Sequence, residues 1–296
     1  MVGTTAQWAA RGVSGWQLRR YVEQGKLVAI RRGVYARSAA LRSRDPTLVH
    51  VVHVAAAWLV SHATVSHESA AMLHRLDLMG RTPRATVTVT RRPNGPGSRS
   101  SRNDIKVHAA ELPAGQVTKK FGLPVTTPAR TTIDIARTRQ FLDAVVTADS
   151  ALHKRKTSKR QLTDVLRTCQ GWPGAVAAQR VLDFCDGRAE SPLESCARVI
   201  FAERGLPPPE LQVEIYGLEF IGRVDFLWPQ YSTISEADGL SKYEKTPGLA
   251  TDQLERDQLL REAGYKVVHF TWQQLLHQTL RVISWHKVAF ARTTPE

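Results

Sequence analysis

Acidic side chains in the last third of the chain fall where a hydrolytic site would need them. Asp225 lies in GRVDFLWP and Glu236 in TISEADG, near the ends of two successive strand-like runs. Asp238 follows Glu236 by two residues, so while the strand continues it points to the same face. Glu194 stands on the helix that precedes them. Carboxylates from adjacent strands and one helix suit Mg²⁺, which binds oxygen and keeps several waters. With Asp225 and Glu236 as its ligands, the metal would activate water for phosphodiester cleavage. Each acid also has a plainer assignment. Ser191-Pro192-Leu193-Glu194 reads as a capping box, Asp225 can pair with Arg223, and Asp238-Gly239 is a turn signature. Mg²⁺ is implied only if this domain is an active nuclease; otherwise no cofactor is expected.

A second set of residues suits a polyanion. In SGWQLRRYVEQGKLVAIRRGVYAR, residues 14–37, Ser14 caps a helix that Gly25 ends. Leu18, Tyr21 and Val22 share one face; Gln17, Arg20 and Gln24 share another, with Arg19 close by. A short apolar run, a turn at Arg31-Arg32-Gly33 and a second strand follow. A polar-basic helix followed by a ribbon tipped with arginines fits duplex DNA, the helix in the major groove and the ribbon's cations on phosphates. The plainer alternative is a soluble surface hairpin. Arg91 and Arg92 open a Gly/Pro/Ser loop, RRPNGPGSRSSR, that is either a solvated connection or a second phosphate contact.

The charge balance favours the first half as the polyanion-binding part. The chain carries 41 Lys and Arg against 27 Asp and Glu, a net of +14 over 296 residues. Residues 1–150 hold 22 basic and 9 acidic side chains, whereas residues 151–296 hold 19 and 18. Cations held on one surface point to nucleic acid. The histidines offer less. His50 and His53 share a helical face, and His67 and His74 lie on another, with no cysteine or carboxylate at zinc-finger spacing. Ser66-His67-Glu68 has the residue types of a triad, but neighbours on a helix point in different directions. Three cysteines without a CxxC pair suit a reducing, cytoplasmic setting. No apolar run is long enough to span a bilayer, so no membrane partner is expected.

Stepping along the chain, the elements predict an α/β (α+β multi-domain) protein in three parts. Residues 1–45 form a winged helix-turn-helix, with a short helix Ala6–Arg11 capped by Thr5 before the recognition helix. Little chain precedes Thr5, so the further upstream helix of most winged domains is missing or supplied from elsewhere, and this part should lean on the next one for its core. Trp8 and Trp16 are expected to hold its two short helices together. Residues 46–187 form a mixed α/β middle domain, with strands at Thr86–Thr90 and, returning, Ile105–Ala109, and a helix capped by Thr127 with Pro128 at its first position. Residues 188–296 read as helix, three strands, helix, strand, helix, an α/β domain with its own core.

Two stretches resemble known families. The order GVSGWQLRRYVEQGKLVAIRRGVYA, VSHESAAMLHRLDL, TVTVTRR and LPVTTPARTTIDIAR, over about residues 5–187, is similar to the AbiEi-family antitoxins of type IV toxin–antitoxin systems. The resemblance implies a transcriptional autoregulator whose winged helix-turn-helix binds double-stranded DNA at repeats in its own promoter. Gln17, Arg19, Arg20, Arg31 and Arg32 would carry the contacts. It also implies a nucleotidyltransferase-like toxin as genetic partner, with no stable complex required. Glu194, Asp225 and Glu236-x-Asp238, with GYKVVHFTW behind them, resemble restriction-endonuclease-like PD-(D/E)XK domains of the very-short-patch-repair branch over about residues 188–290. That pattern places a lysine where this chain has Asp238, so either Lys242 reaches in from the following turn or the site is inactive. Three functions therefore stand open: a DNA-binding antitoxin, a Mg-dependent DNA nuclease, and an RNA- or protein-binding scaffold.

Overall fold

A computed structural model describes residues 2–80, 85–93, 104–239 and 249–291, apart from the side chains of 249–251. Its contacts divide the chain into two compact units, Met1–Cys185 and Asp186–Glu296.

The first unit opens with strand β1 (Val2–Thr4), helices α1 (Thr5–Ala9) and α2 (Gly15–Glu23), and strands β2 (Leu27–Arg31) and β3 (Val34–Arg37). The three strands form a sheet in the order β1-β3-β2, all antiparallel. Thr4, not Thr5, caps α1, and both short helices begin with a capping box, Thr4 with Gln7 and Ser14 with Gln17. Such helices are too short to be stable alone, so the reciprocal caps and a small core of Trp8, Leu18 and Leu27 hold them. Trp8 is buried as expected. Trp16 is not: it is 59% exposed and holds nothing together, because Val13, Tyr21, Val22 and Tyr35 close this core without it.

After α3 (Ser38–Leu41), helix α4 (Pro46–Ser61) is started by Asp45, whose carboxylate accepts from the Thr47 amide at 2.8 Å, with Pro46 at its first position. It packs on β1, β2 and β3 and also on α5 (His67–His74). Helix α4 thus covers the three-stranded sheet, and Met1–Cys185 cohere as one unit.

Beyond α4, strands β4 (Thr64–Val65), β5 (Val87–Arg91), β6 (Ile105–Ala109), β7 (Val117–Lys120) and β8 (Leu123–Thr126) make a five-stranded sheet in the order β6-β5-β4-β8-β7. Strand β6 does not return: it runs parallel to β5, Val87 beside Ile105 and Arg91 beside Ala109. Parallel neighbours cannot be joined by a tight hairpin turn, and the sequence between them contains the long basic stretch. Its residues 94–103 lie outside the described part of the chain. The sheet buries Val65, Val87, Val89, Ile105 and Val125 against Val54, Ala70 and Leu73 of α4 and α5. Helices α6 (Pro128–Thr138), α7 (Phe141–His153), α8 (Lys159–Thr168) and α9 (Ala175–Phe184) complete the unit, α6 capped by Thr127 with Pro128 first, as its sequence predicts.

The second unit runs α10 (Pro192–Glu203), β9 (Glu210–Tyr216), β10 (Phe220–Trp228), β11 (Thr233–Asp238), α11 (Leu249–Glu262), β12 (Lys266–Thr271), α12 (Trp272–His277) and α13 (Thr279–Ala291). Its sheet has the order β12-β11-β10-β9, antiparallel through β9, β10 and β11 and parallel between β11 and β12. Phe201, Phe226, Trp228, Phe270 and His286 form one aromatic cluster with ring centroids about 5–6 Å apart. Trp228 is fully buried, its indole N–H donating to the Pro207 carbonyl at 2.7 Å. Burial of the aromatic bodies is the main stabilising contribution here. Among the described residues no helix is long and apolar enough to cross a membrane.

Candidate functional site

The α2 helix turns Leu18 inward and leaves Arg19, Arg20 and Gln24 exposed, the polarity its spacing predicts. Gln17 is partly committed: its Oε1 accepts from the Ser14 amide at 2.7 Å, closing the capping box. The two wing arginines part company. Arg32 is exposed at the tip beside Gly33, whose φ of +72° makes the turn. The Arg31 side chain is 8% exposed and ion-paired with Asp104 at the start of β6. Arg31 is the last residue of β2 and Arg32 lies in the turn beyond it, so one arginine ties the hairpin to Asp104 while the other faces solvent. Arg31 is therefore engaged within the protein. Arg91 is likewise engaged, donating to the Ser61 carbonyl at 3.2 Å, while Arg92 is exposed.

Trp16 is the residue the sequence reading misplaced. It sits in the first turn of α2 with the Arg20 guanidinium 5.3 Å from its ring centroid. The i,i+4 spacing of an aromatic and an arginine was the available signal, since such pairs meet on a helix.

Within the first unit, the VSHESAA segment and its neighbours form a buried polar interior. The rings of His67 and His108 stack at 3.6 Å and 15°. Burial pushes His67 well down, and pushes His108 down to about 4 with help from the positive charge of Lys106. Both rings are neutral near pH 7, so the stack carries no charge repulsion. Ser66 Oγ meets His67 Nδ1 at 2.9 Å and accepts from Thr90 at 2.8 Å; His50 Nε2 lies 2.9 Å from Ser69 Oγ, and His74 Nε2 lies 2.8 Å from the Thr126 carbonyl. These contacts are packing and polar satisfaction; Glu68 turns away to Thr88 and Arg139, so no triad forms.

In the second unit Glu194, Asp225 and Glu236 do gather. Gln212 Nε2 donates to both Glu194 (2.9 Å) and Asp225 (3.1 Å). Burial and the charge of Asp225 raise the Glu194 pKa, and the same two causes push Glu236 up to about 7. Every one of these acids is already engaged by donors of the protein. Glu194 accepts from Ser191 Oγ (2.6 Å) and the Glu190 amide (2.9 Å), the capping arrangement its sequence allows. Asp225 accepts the Ala237 amide at 2.9 Å, and Glu236 takes the Arg256 guanidinium at 2.7 Å. Asp238 belongs to a different group: His269 bridges it (3.1 Å) to Asp257 (2.9 Å). Burial disfavours the His269 cation, but these two carboxylates outweigh it and raise the ring's pKa. Lys242 lies outside the described residues. Among the described residues no three His, Cys, Asp or Glu side chains could hold a metal ion. A hard cation needs several free oxygens; both oxygens of Glu194 and of Asp225 and one of Glu236 already accept from donors of the protein, so the cluster is a poor fit for Mg²⁺. Gln212, Arg256, His269 and Asp257 were not legible as partners beforehand.

Two compact units of mixed helix and sheet, the first carrying a helix-turn-helix with an exposed basic face, define a multi-domain α+β protein. Residues 62–184 match the family model described as AbiEi antitoxin C-terminal domain. Two proteins of Mycobacterium tuberculosis, Uncharacterized protein Rv2248 and Uncharacterized protein MT2308, are each 30% identical over 253 residues, spanning 85% of this chain and 88% of theirs. The crystal structure of the RV2827C protein from Mycobacterium tuberculosis superposes with a TM-score of 0.42 at 17% identity, covering 74% of this chain and 84% of that one.

Proposed function

We propose that this chain is a DNA-binding autoregulator that opposes a nucleotidyltransferase-like toxin encoded beside it, with no stable complex required. The observation that carries the DNA reading is the exposed face of α2, Arg19, Arg20 and Gln24, set beside the exposed wing-tip Arg32. A helix of this kind enters the major groove of duplex DNA while wing cations neutralise phosphates. Arg92 extends the cationic surface. The match to the antitoxin family model supports the antitoxin role. The test is binding of the whole chain to a duplex from its own promoter across a salt series. With about six phosphates contacted, affinity falls on the order of a thousandfold from 50 to 200 mM salt. Equal affinity at both salt concentrations, or displacement by RNA but not by duplex DNA at matched ionic strength, refutes the reading.

For residues 188–290 we infer a restriction-endonuclease-like fold that does not cleave. The order helix, three antiparallel strands, helix, parallel strand supports the fold. The engaged carboxylates, and Asp238 where the resemblance wants a lysine, speak against metal-dependent hydrolysis.

A further inference from the structure

Single exposed apolar side chains are ordinary on a protein surface; Trp16 is set apart by its place in the first turn of α2 with a guanidinium over its ring. It is 59% exposed, whereas Trp8 and Trp228, the other extremes of the seven tryptophans, are 6% and 0% exposed. It lies in the first turn of α2, the part of a recognition helix that approaches base edges. One turn on, Arg20 places its guanidinium 5.3 Å from the indole centroid. Among the described residues Arg20 makes no ion pair, and the adjacent Arg19 is exposed. A guanidinium resting on a π-face keeps its fork of donors free and loses fewer orientations on binding. An arginine on a phosphate needs no such fixing, because any cation within reach serves; an arginine reading a base does, because the two donors must meet two acceptors at once.

We propose that the Trp16–Arg20 pair is the base-reading element of the interface. Arg20, oriented by the indole, takes the O6 and N7 of a guanine in the major groove, and Trp16 covers the methyl group of an adjacent thymine. Arg19 and Arg32 contact phosphates. This division of labour rests on the reading of α2 as a DNA-binding helix and adds to it which side chains specify sequence.

The experiment is selection of duplexes from a randomised library by the whole chain, followed by affinity for the selected duplex and for an unrelated one. The variants are Arg20→Lys, Trp16→Ala and, as a control, Arg19→Lys. Arg20→Lys keeps the charge and loses the fork. It is expected to cut the ratio of selected to unrelated affinity about tenfold while the unrelated duplex binds as before. Trp16→Ala lowers the same ratio and relaxes preference at one neighbouring base pair; Arg19→Lys leaves the ratio unchanged. Acrylamide quenching gives an independent readout: a tryptophan fraction accessible in the free chain is lost on adding the selected duplex, and is absent from Trp16→Phe. All three substituted residues are exposed, so melting temperatures near that of the parent confirm intact folding. Selection of a defined sequence by the parent chain together with unchanged ratios in Arg20→Lys and Trp16→Ala overturns the base-reading role alone. A parent chain that binds no duplex in a salt-dependent way overturns the DNA reading beneath it as well.

Discussion

The α2–β3 region and the carboxylate cluster hold the same kind of evidence, charged side chains at suggestive spacing, and the structure treats them in opposite ways. At α2 and the wing tip, Arg19, Arg20 and Arg32 face solvent. In the second unit Glu194, Asp225, Glu236 and Asp238 are engaged by Ser191, Gln212, the Ala237 amide, Arg256 and His269. Spacing shows where a charge can point, but the availability of that charge depends on what else is within hydrogen-bonding distance. The pair Arg31 and Arg32 makes the contrast within two residues, one buried against Asp104 and one exposed.

The largest expected effect sharpens that contrast on the DNA side. Arg19→Ala with Arg32→Ala removes two phosphate contacts, so the slope of log affinity against log salt should shallow by about two. A titration with promoter duplex at several salt concentrations measures it, and an unchanged slope would mean these cations face no phosphate.

On the acidic side the test is pH. Glu236 is pushed up from 4.5 to about 7, by burial first and Asp225 second, so between those values the folded state holds a proton that the unfolded state has released. Stability of the second unit therefore falls as pH rises through that window, by up to about 3 kcal/mol. The raised His269 acts in the same direction, because its contribution is complete below its unfolded pKa and is lost as pH rises through the folded one. The buried ring of His286, held down to about 4, acts in the opposite direction below about pH 6.5, so the test is the difference between variants: urea unfolding followed by the buried Trp228 should show the parent losing stability relative to Glu236→Gln between pH 5 and 8. A difference that does not change with pH would contradict the burial of Glu236.

Arg31→Ala should destabilise the first unit by about 2 kcal/mol, because it leaves Asp104 without its cation while that carboxylate stays partly solvated. Its salt slope on DNA should equal that of the parent, which separates it from Arg32→Ala. The smallest expected effect is a null. Millimolar Mg²⁺ or Mn²⁺ should leave the melting temperature unchanged and produce no cleavage of duplex or single-stranded DNA. A metal-dependent upward shift lost in Asp225→Ala would show that the carboxylates do open to a cation.

Local signals were legible wherever neighbours along the chain decide the outcome. Ser14 with Gln17, Ser191 with Glu194, and Thr127 before Pro128 start their helices as their spacing predicts, because capping is settled within a few residues. The inward face of α2, the strand and helix order of the second unit, and the gathering of Glu194, Asp225 and Glu236 were legible for the same reason: side-chain direction follows helical and strand periodicity. Contacts between residues far apart in the chain were decided only by the tertiary structure. They turned Arg31 to Asp104, set β6 parallel to β5, brought α4 back over the winged sheet, and engaged Asp225 with Gln212 and Ala237. They also left Trp16 outside the core it was expected to join. Periodicity sets the side on which a residue lies, but its partner there depends on which other segments the fold brings alongside, and no spacing within one segment carries that information.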